Sequence, residues 1–155
     1  MIRVSAAPFD PGAELSAFEK TAGGAGAVVS FFGKVRGAAG DKTVSCLFLE
    51  HYPGVTERSI AEIEAEAKKR WSIDDALIIH RVGMLAPGEP IVMVCVAGKH
   101  RREAFEAADF LMDYLKTEAM FWKKEIREGG EAWIEPRDAD YKDAARWTKA
   151  GRKED

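Results

Sequence analysis

The sequence predicts an α+β fold with largely antiparallel strands. Short runs rich in β-branched and aromatic residues come in pairs. Each pair is followed by one segment of helical periodicity. The resulting order, β-α-β-β-α-β-β-α-β-β-α, lacks the strict strand–helix alternation of a doubly wound sheet. The length of 155 residues, with 46% hydrophobic and 32% charged side chains, fits one domain able to bury a core. We read residues 1–155 as that single unit, with about 138–155 as a C-terminal helix and charged tail.

The opening "IRVSAAPF" alternates weakly and reads as a strand. Asp10-Pro11 then offers an N-cap and a proline at the first helical position, Leu15 and Phe18 share a helix face, and "AGGAG" ends the helix. "AVVSFFGKV" and "VSCLFLEHY" read as strands, and the glycine-rich, charged loop "RGAAGDKT" between them predicts an antiparallel pair. After the Pro53-Gly54 break, "VTERSIAEIEAEAKKRW" is a helix with Ile60, Ile63, Ala67 and Trp71 in a stripe. "DDALIIHRVGML" and "EPIVMVCVAG" are two strands joined by the turn "APGE". "HRREAFEAADFLMDYLK" has the strongest helical pattern, with Phe105, Ala108, Leu111, Met112 and Leu115 as its core face and Asp109 and Asp113 opposite. "FWKKEIREGGEAWIEP" predicts a hairpin turning at Gly129-Gly130, and "DADYKDAARWTK" a final capped helix.

A net charge of -3 gives no bulk electrostatic reason to bind nucleic acid, so any anion site is local. Cys46 and Cys95 stand apart inside strand patterns and read as small core residues in a reducing compartment. His51, His80 and His100 are scattered without metal-ligand spacing, so no metal site is expected. The N-terminus lacks the pattern of a secretory signal and no run has the length of a membrane span, so the expected location is cytoplasmic.

Three basic clusters stand at the ends of predicted elements. "GKVRG" puts Lys34 and Arg36 where a strand enters a flexible loop. "GKHRRE" puts His100 and Arg101 at a helix start, where free N–H groups and the positive dipole end favour an anion. "YLKTEAMFWKKE" puts Lys116 and Lys123 among aromatics. Such lysines either lay their stems along apolar surface or have pKa values lowered for chemistry. Continued as a helix, the segment brings the two lysines nearly onto one face; as a hairpin, it leaves their meeting to tertiary folding. No P-loop, dinucleotide fingerprint or nucleophile elbow is present.

In this order, "GAVVSFFGKVRG", "IIHRVGMLAPGEPIVMVCVAGKHRREAF" and "DYLKTEAMFWKKE" resemble the large, catalytic subunit of molybdopterin synthase, the MoaE-like family. The resemblance runs from about the first strand to the final helix. It implies an α/β hammerhead-type fold with an additional small β subdomain. It also implies transfer of two sulfurs to cyclic pyranopterin monophosphate, forming the dithiolene of molybdopterin. The implied donor is a small partner subunit whose C-terminal Gly-Gly carries a thiocarboxylate. The assembly is a heterotetramer around a homodimer, with no metal or redox cofactor. By position, Lys116 and Lys123 match the active-site lysines. Lys34, Val35 and Arg36, the pair His100 and Arg101, and Lys124 and Glu125 after Lys123 match substrate-contacting segments.

Two departures stand out: Met120 occupies a position where family members commonly have proline, which leaves the helix end open, and "HYPGV" replaces a small-residue version. His51 is expected to be an exposed strand end. The rival readings are a pterin- or nucleotide-phosphate-binding module without turnover, an RNA-binding domain, which the charge and the lack of an aromatic platform disfavour, and a degenerate subunit that only assembles.

Overall fold

The computed structural model describes residues 1–39 and 42–149. Its elements are β1 (Ile2–Ser5), α1 (Pro11–Thr21), β2 (Ala27–Lys34), β3 (Ala38–Ala39), β4 (Lys42–His51), α2 (Val55–Arg70), β5 (Ile73–Arg81), β6 (Gly83–Leu85), β7 (Pro90–Gly98), α3 (Arg101–Thr117), β8 (Phe121–Arg127), β9 (Gly130–Ile134) and α4 (Asp138–Lys149). The predicted order is present, with the short strands β3 and β6 added. Gly40, Asp41 and the tail from Ala150 onward lie outside the described residues.

Two sheets organise the chain. The first has the order β1-β5-β7-β2, antiparallel except for the parallel β1–β5 pair. The second has the order β3-β4-β8-β9, with β6 also on β4. Both faces of the first sheet are covered. Leu77, Ile79, Met93 and Cys95 meet Phe18 of α1, while Ile78, Val92, Val94 and Val96 meet α2 and α3. This is why β5 and β7 read as continuous apolar runs without alternation. Burial pushes the Cys95 thiol up to about 11, which suits a core residue.

The local signals act as expected at α1, where Asp10 Oδ1 accepts from the Gly12 N–H at 2.9 Å. At α2, Glu57 Oε2 accepts from the Gly54 N–H at 2.6 Å. The β8–β9 hairpin turns at Gly129 and Gly130, both with positive φ.

Three expectations are corrected. The run Asp74–Leu85 is not one strand. At Gly83, φ +84 turns the backbone, and Gly83–Leu85 crosses to pair with β4 in the second sheet. β2 and β4 do not pair with each other; β2 pairs with β7, and β4 with β3, β6 and β8. The cause is at Val35, whose N–H donates to the Glu89 carbonyl (3.0 Å) and whose carbonyl accepts from the Gly88 N–H (2.8 Å). That latch ends β2 on the 86–89 turn and sends the chain to the other sheet. Phe105 is 61% exposed, and the core face of α3 is Ala104, Ala107, Ala108, Phe110, Leu111 and Leu115. The small alanines bring the helix close to the sheet, which moves the buried stripe off Phe105.

α4 is docked on α3 by Trp147, whose ring lies edge-on to Trp71 and Phe110 and whose Nε1–H donates to Asp113 Oδ2 at 2.6 Å. Arg146 donates to the same oxygen at 2.8 Å. Asp113 is therefore an anchor, not a solvated face. Asp113→Ala is expected to cost about 2 kcal/mol of stability, read as a lower denaturant midpoint.

Candidate active site

One cavity of about 350 Å³ lies where the two sheets and the C-terminal end of α3 meet, within the size range of small-molecule sites. Its apolar wall includes Phe31, Val35, Leu47, Val92, Leu115 and Phe121. Basic residues reach it from four directions: Lys34 and Arg36 at the end of β2 and just beyond it, Lys116 on α3, Lys123 on β8 and Arg137 before α4. Three carboxylates, Glu125, Glu135 and Asp140, also line it. The site therefore carries local positive charge within a chain of net charge -3.

The two lysines meet through tertiary folding. α3 ends at Thr117, and the Glu118 N–H donates to the Tyr114 carbonyl at 2.7 Å. Met120 lies beyond the helix end, where its carbonyl accepts from Thr56 Oγ1 at 2.7 Å. The helix thus ends without a proline at this position. β8 starts at Phe121, and strand alternation turns Phe121, Lys123 and Glu125 to the cavity.

Their environments differ. Lys116 is exposed at the rim, whereas Lys123 is half-buried. Burial, then the charge of Lys116, lowers the Lys123 pKa to about 8, with Asp140 opposing. Asp140 is pushed up by burial, but hydrogen bonds from Arg137 and the charges of Lys116 and Arg137 outweigh this and hold it below the usual carboxylate range. The Arg137 N–H donates to Asp140 Oδ2 at 2.8 Å. Glu125 is tied to Arg127, whose Nε donates to Oε2 at 2.6 Å.

Of the residues singled out in the sequence, Lys34, Val35, Arg36, Lys116, Lys123 and Glu125 come together here. Lys124 does not. Its side chain is on the opposite sheet face, 3.2 Å from Glu131 and over the rings of Phe48 and Trp133. His100 and Arg101 are exposed at the start of α3, which is 17 residues long. At 1.5 Å per residue the helix puts them about 23 Å from Lys116. The His100 side chain makes no capping bond to the helix it precedes.

Sequence reasoning missed His80, Arg137, Asp140 and Tyr141, all lining the cavity. The available signal for His80 was a lone imidazole in an apolar strand. For the others it was the charged segment "EPRDADY", which joins the last strand to the final helix. His51 is not a free strand end, because its side chain is 19% exposed with Nε2 3.5 Å from Glu57 Oε1.

The MoaE protein family model matches residues 4–118. The chain is 52% identical over 146 residues to a molybdopterin synthase catalytic subunit from Cereibacter sphaeroides, covering 94% of this chain and 99% of that one. Among solved structures it is similar to the molybdopterin biosynthesis MoaE protein from Burkholderia ambifaria (TM-score 0.81, 45% identity, 96% and 97% of the two chains). It is also similar to molybdopterin synthase from Staphylococcus aureus (TM-score 0.73, 28% identity, 85% and 95%). With a family model over most of its length and a relative of this identity, the chain belongs to the MoaE protein family.

Proposed function

We propose that this chain is the catalytic subunit of a molybdopterin synthase, a sulfurtransferase that forms the dithiolene on cyclic pyranopterin monophosphate. The observation that carries the reading is the convergence of Lys116 and Lys123, from α3 and β8, on one apolar-walled, locally cationic cavity. A flat pterin fits an aromatic and aliphatic wall, and a phosphate fits Lys34, Arg36 and Arg137. A Gly-Gly tail, having no side chains, is slim enough to enter the cavity and carry a thiocarboxylate to the lysines.

In this reading the thiocarboxylate sulfur attacks the side-chain carbon that carries the cyclic phosphate, forming a C–S bond as that carbon's C–O bond breaks and the phosphate oxygen leaves, opening the ring. Water then cleaves the resulting thioester and leaves the sulfur on the pterin. Lys116, as a cation at the rim, polarises the thiocarboxylate carbonyl. Lys123, with its pKa near neutrality, exchanges protons and stabilises charge as the cyclic phosphate opens. A second donor tail delivers the second sulfur to the neighbouring side-chain carbon, whose oxygen leaves as water, and hydrolysis of this second thioester completes the dithiolene. His100 and Arg101 join a substrate cavity in this reading only when a second copy of the chain supplies them, because α3 separates them from their own.

The test is reconstitution. The purified chain, cyclic pyranopterin monophosphate and a thiocarboxylated small subunit are expected to yield the dithiolene product. Stable binding of both components with no product would reduce the chain to a binding module.

A further inference from the structure

The β4–β8 ladder holds two registers. From Cys46 to His51 it pairs Leu49 with Lys123 and Phe48 with Lys124. At its far end, across a one-residue offset between Val44 and Cys46, Val44 faces Arg127. Paired residues share a sheet face. The first register therefore sends Lys123 to the cavity side with Leu49, and Lys124 to the outer face with Phe48. Continued along both strands from Val44 and Arg127, the second register would pair Phe48 with Lys123 and Leu47 with Lys124. The two lysines would exchange faces.

The side chains of β8 discriminate poorly between these registers. The strand reads "FWKKEIR", an aromatic pair followed by a lysine pair. A one-residue slip replaces Phe121 by Trp122 and Lys123 by Lys124 on the inner face. Each face also has an aromatic partner for the ring it receives, His80 stacked on Phe121 and Tyr52 edge-on to Trp122. No tight turn sets the register either. β4 ends at His51 and β8 starts at Phe121, with two helices and three strands between them.

Met120 is where the registers differ. In the second it would join the ladder opposite His51, and unlike a proline it has the N–H to do so. In the structure its carbonyl accepts from Thr56 Oγ1 at 2.7 Å. Thr56 is fully buried near the start of α2 and is itself tied to the end of β4. Its Oγ1 accepts from the Tyr52 N–H at 3.0 Å, and its own N–H donates to the Tyr52 carbonyl at 2.9 Å. One hydroxyl thus joins the residue before β8 to the residue after β4.

We propose that Thr56 is a positioning residue for the site: its hydroxyl pins Met120 beside Tyr52, confines the offset to the Val44 end, and so selects Lys123 over Lys124 for the cavity. The consequence for turnover rests on the sulfur-transfer reading, but the register does not.

The test is Thr56→Val, which keeps the side-chain shape and removes the hydroxyl. Cross-strand backbone proton contacts, read by NMR, are expected to shift from Leu49–Lys123 toward Phe48–Lys123, and Thr56→Ser is expected to keep the wild-type set. In reconstitution, kcat of Thr56→Val is expected to fall by about 10²-fold, the usual loss when a reacting group is misplaced. KM for the pterin changes little, because Lys34, Arg36 and Arg137 remain. A folded Thr56→Val protein with the wild-type contacts would overturn the proposal.

Should Thr56→Val alone fail to fold, the double variant with Met120→Pro decides, because proline bars position 120 from the ladder. A recovered fold with Lys123 opposite Leu49 supports the pin. No recovery would assign the hydroxyl to stability alone and overturn it. The register readout requires neither pterin nor partner. A shifted ladder in Thr56→Val, without product from the wild-type reconstitution, would keep Thr56 in this role and remove the sulfur-transfer reading.

Discussion

Lys123→Met is expected to give a protein that is more stable at neutral pH and inactive. The folded-state pKa of Lys123 is about 8 against 10.5 for the free side chain. Below pH 8 both folded and unfolded chains hold the proton, and the fold carries the full cost of burying the ammonium, at most about 3 kcal/mol. Between pH 8 and 10.5 the unfolded chain binds the proton more tightly than the folded one, so wild-type stability rises with pH and the cost is relieved. Methionine has a similar volume and no charge, so it removes the cost at every pH. Denaturant unfolding at neutral pH is expected to show the variant more stable by about 1–3 kcal/mol, with the gap closing toward pH 10.5. A variant equal to wild type at neutral pH, or a gap that widens with pH, would contradict the burial assigned to this lysine. The loss of turnover comes with it, since no titratable group remains at that position.

Lys116→Ala is expected to act differently. The side chain is exposed at the rim, so its removal changes stability by less than about 0.5 kcal/mol. Product formation, in contrast, is expected to fall by about 10²–10⁴-fold, the usual loss when a group that stabilises developing charge is deleted. Pterin affinity changes little, because Lys34, Arg36 and Arg137 remain for the phosphate. Measured together, thermal unfolding, equilibrium pterin binding and product yield separate a charge used in turnover from one used only for holding substrate. Full turnover in this variant would remove Lys116 from the reaction.

Much of this architecture is legible in the sequence because local chemistry decides it. Asp10-Pro11 starts α1, the apolar stripe of α2 faces the sheet, and Gly129-Gly130 turns the last hairpin. What the sequence hides is set by partners distant along the chain. The split of β5 from β6 depends on a positive φ at Gly83 and on β4 offering a free edge, and no periodicity reports either. The pairing of β2 with β7 instead of β4 follows from the Val35 latch onto the 86–89 turn.

The site divides in the same way. Lys34, Arg36, Lys116 and Lys123 stand out as cations beside apolar runs, and the fold gathers them. His80 and Arg137 do not stand out, because an imidazole inside an apolar strand and an arginine before a helix have common structural explanations. Lys124 shows the converse. It is adjacent to Lys123 in sequence, yet one step along a strand turns it to the other face.

The most direct measurement is a single-turnover reconstitution in which the donor thiocarboxylate carries heavy sulfur. The chain, cyclic pyranopterin monophosphate and the labelled small subunit are mixed, and the pterin product is weighed by mass spectrometry. The account predicts a dithiolene with both sulfurs labelled from the wild-type chain, and little or none from Lys116→Ala or Lys123→Met. Formation of the complex without label on the pterin, or full labelling by both lysine variants, would contradict it.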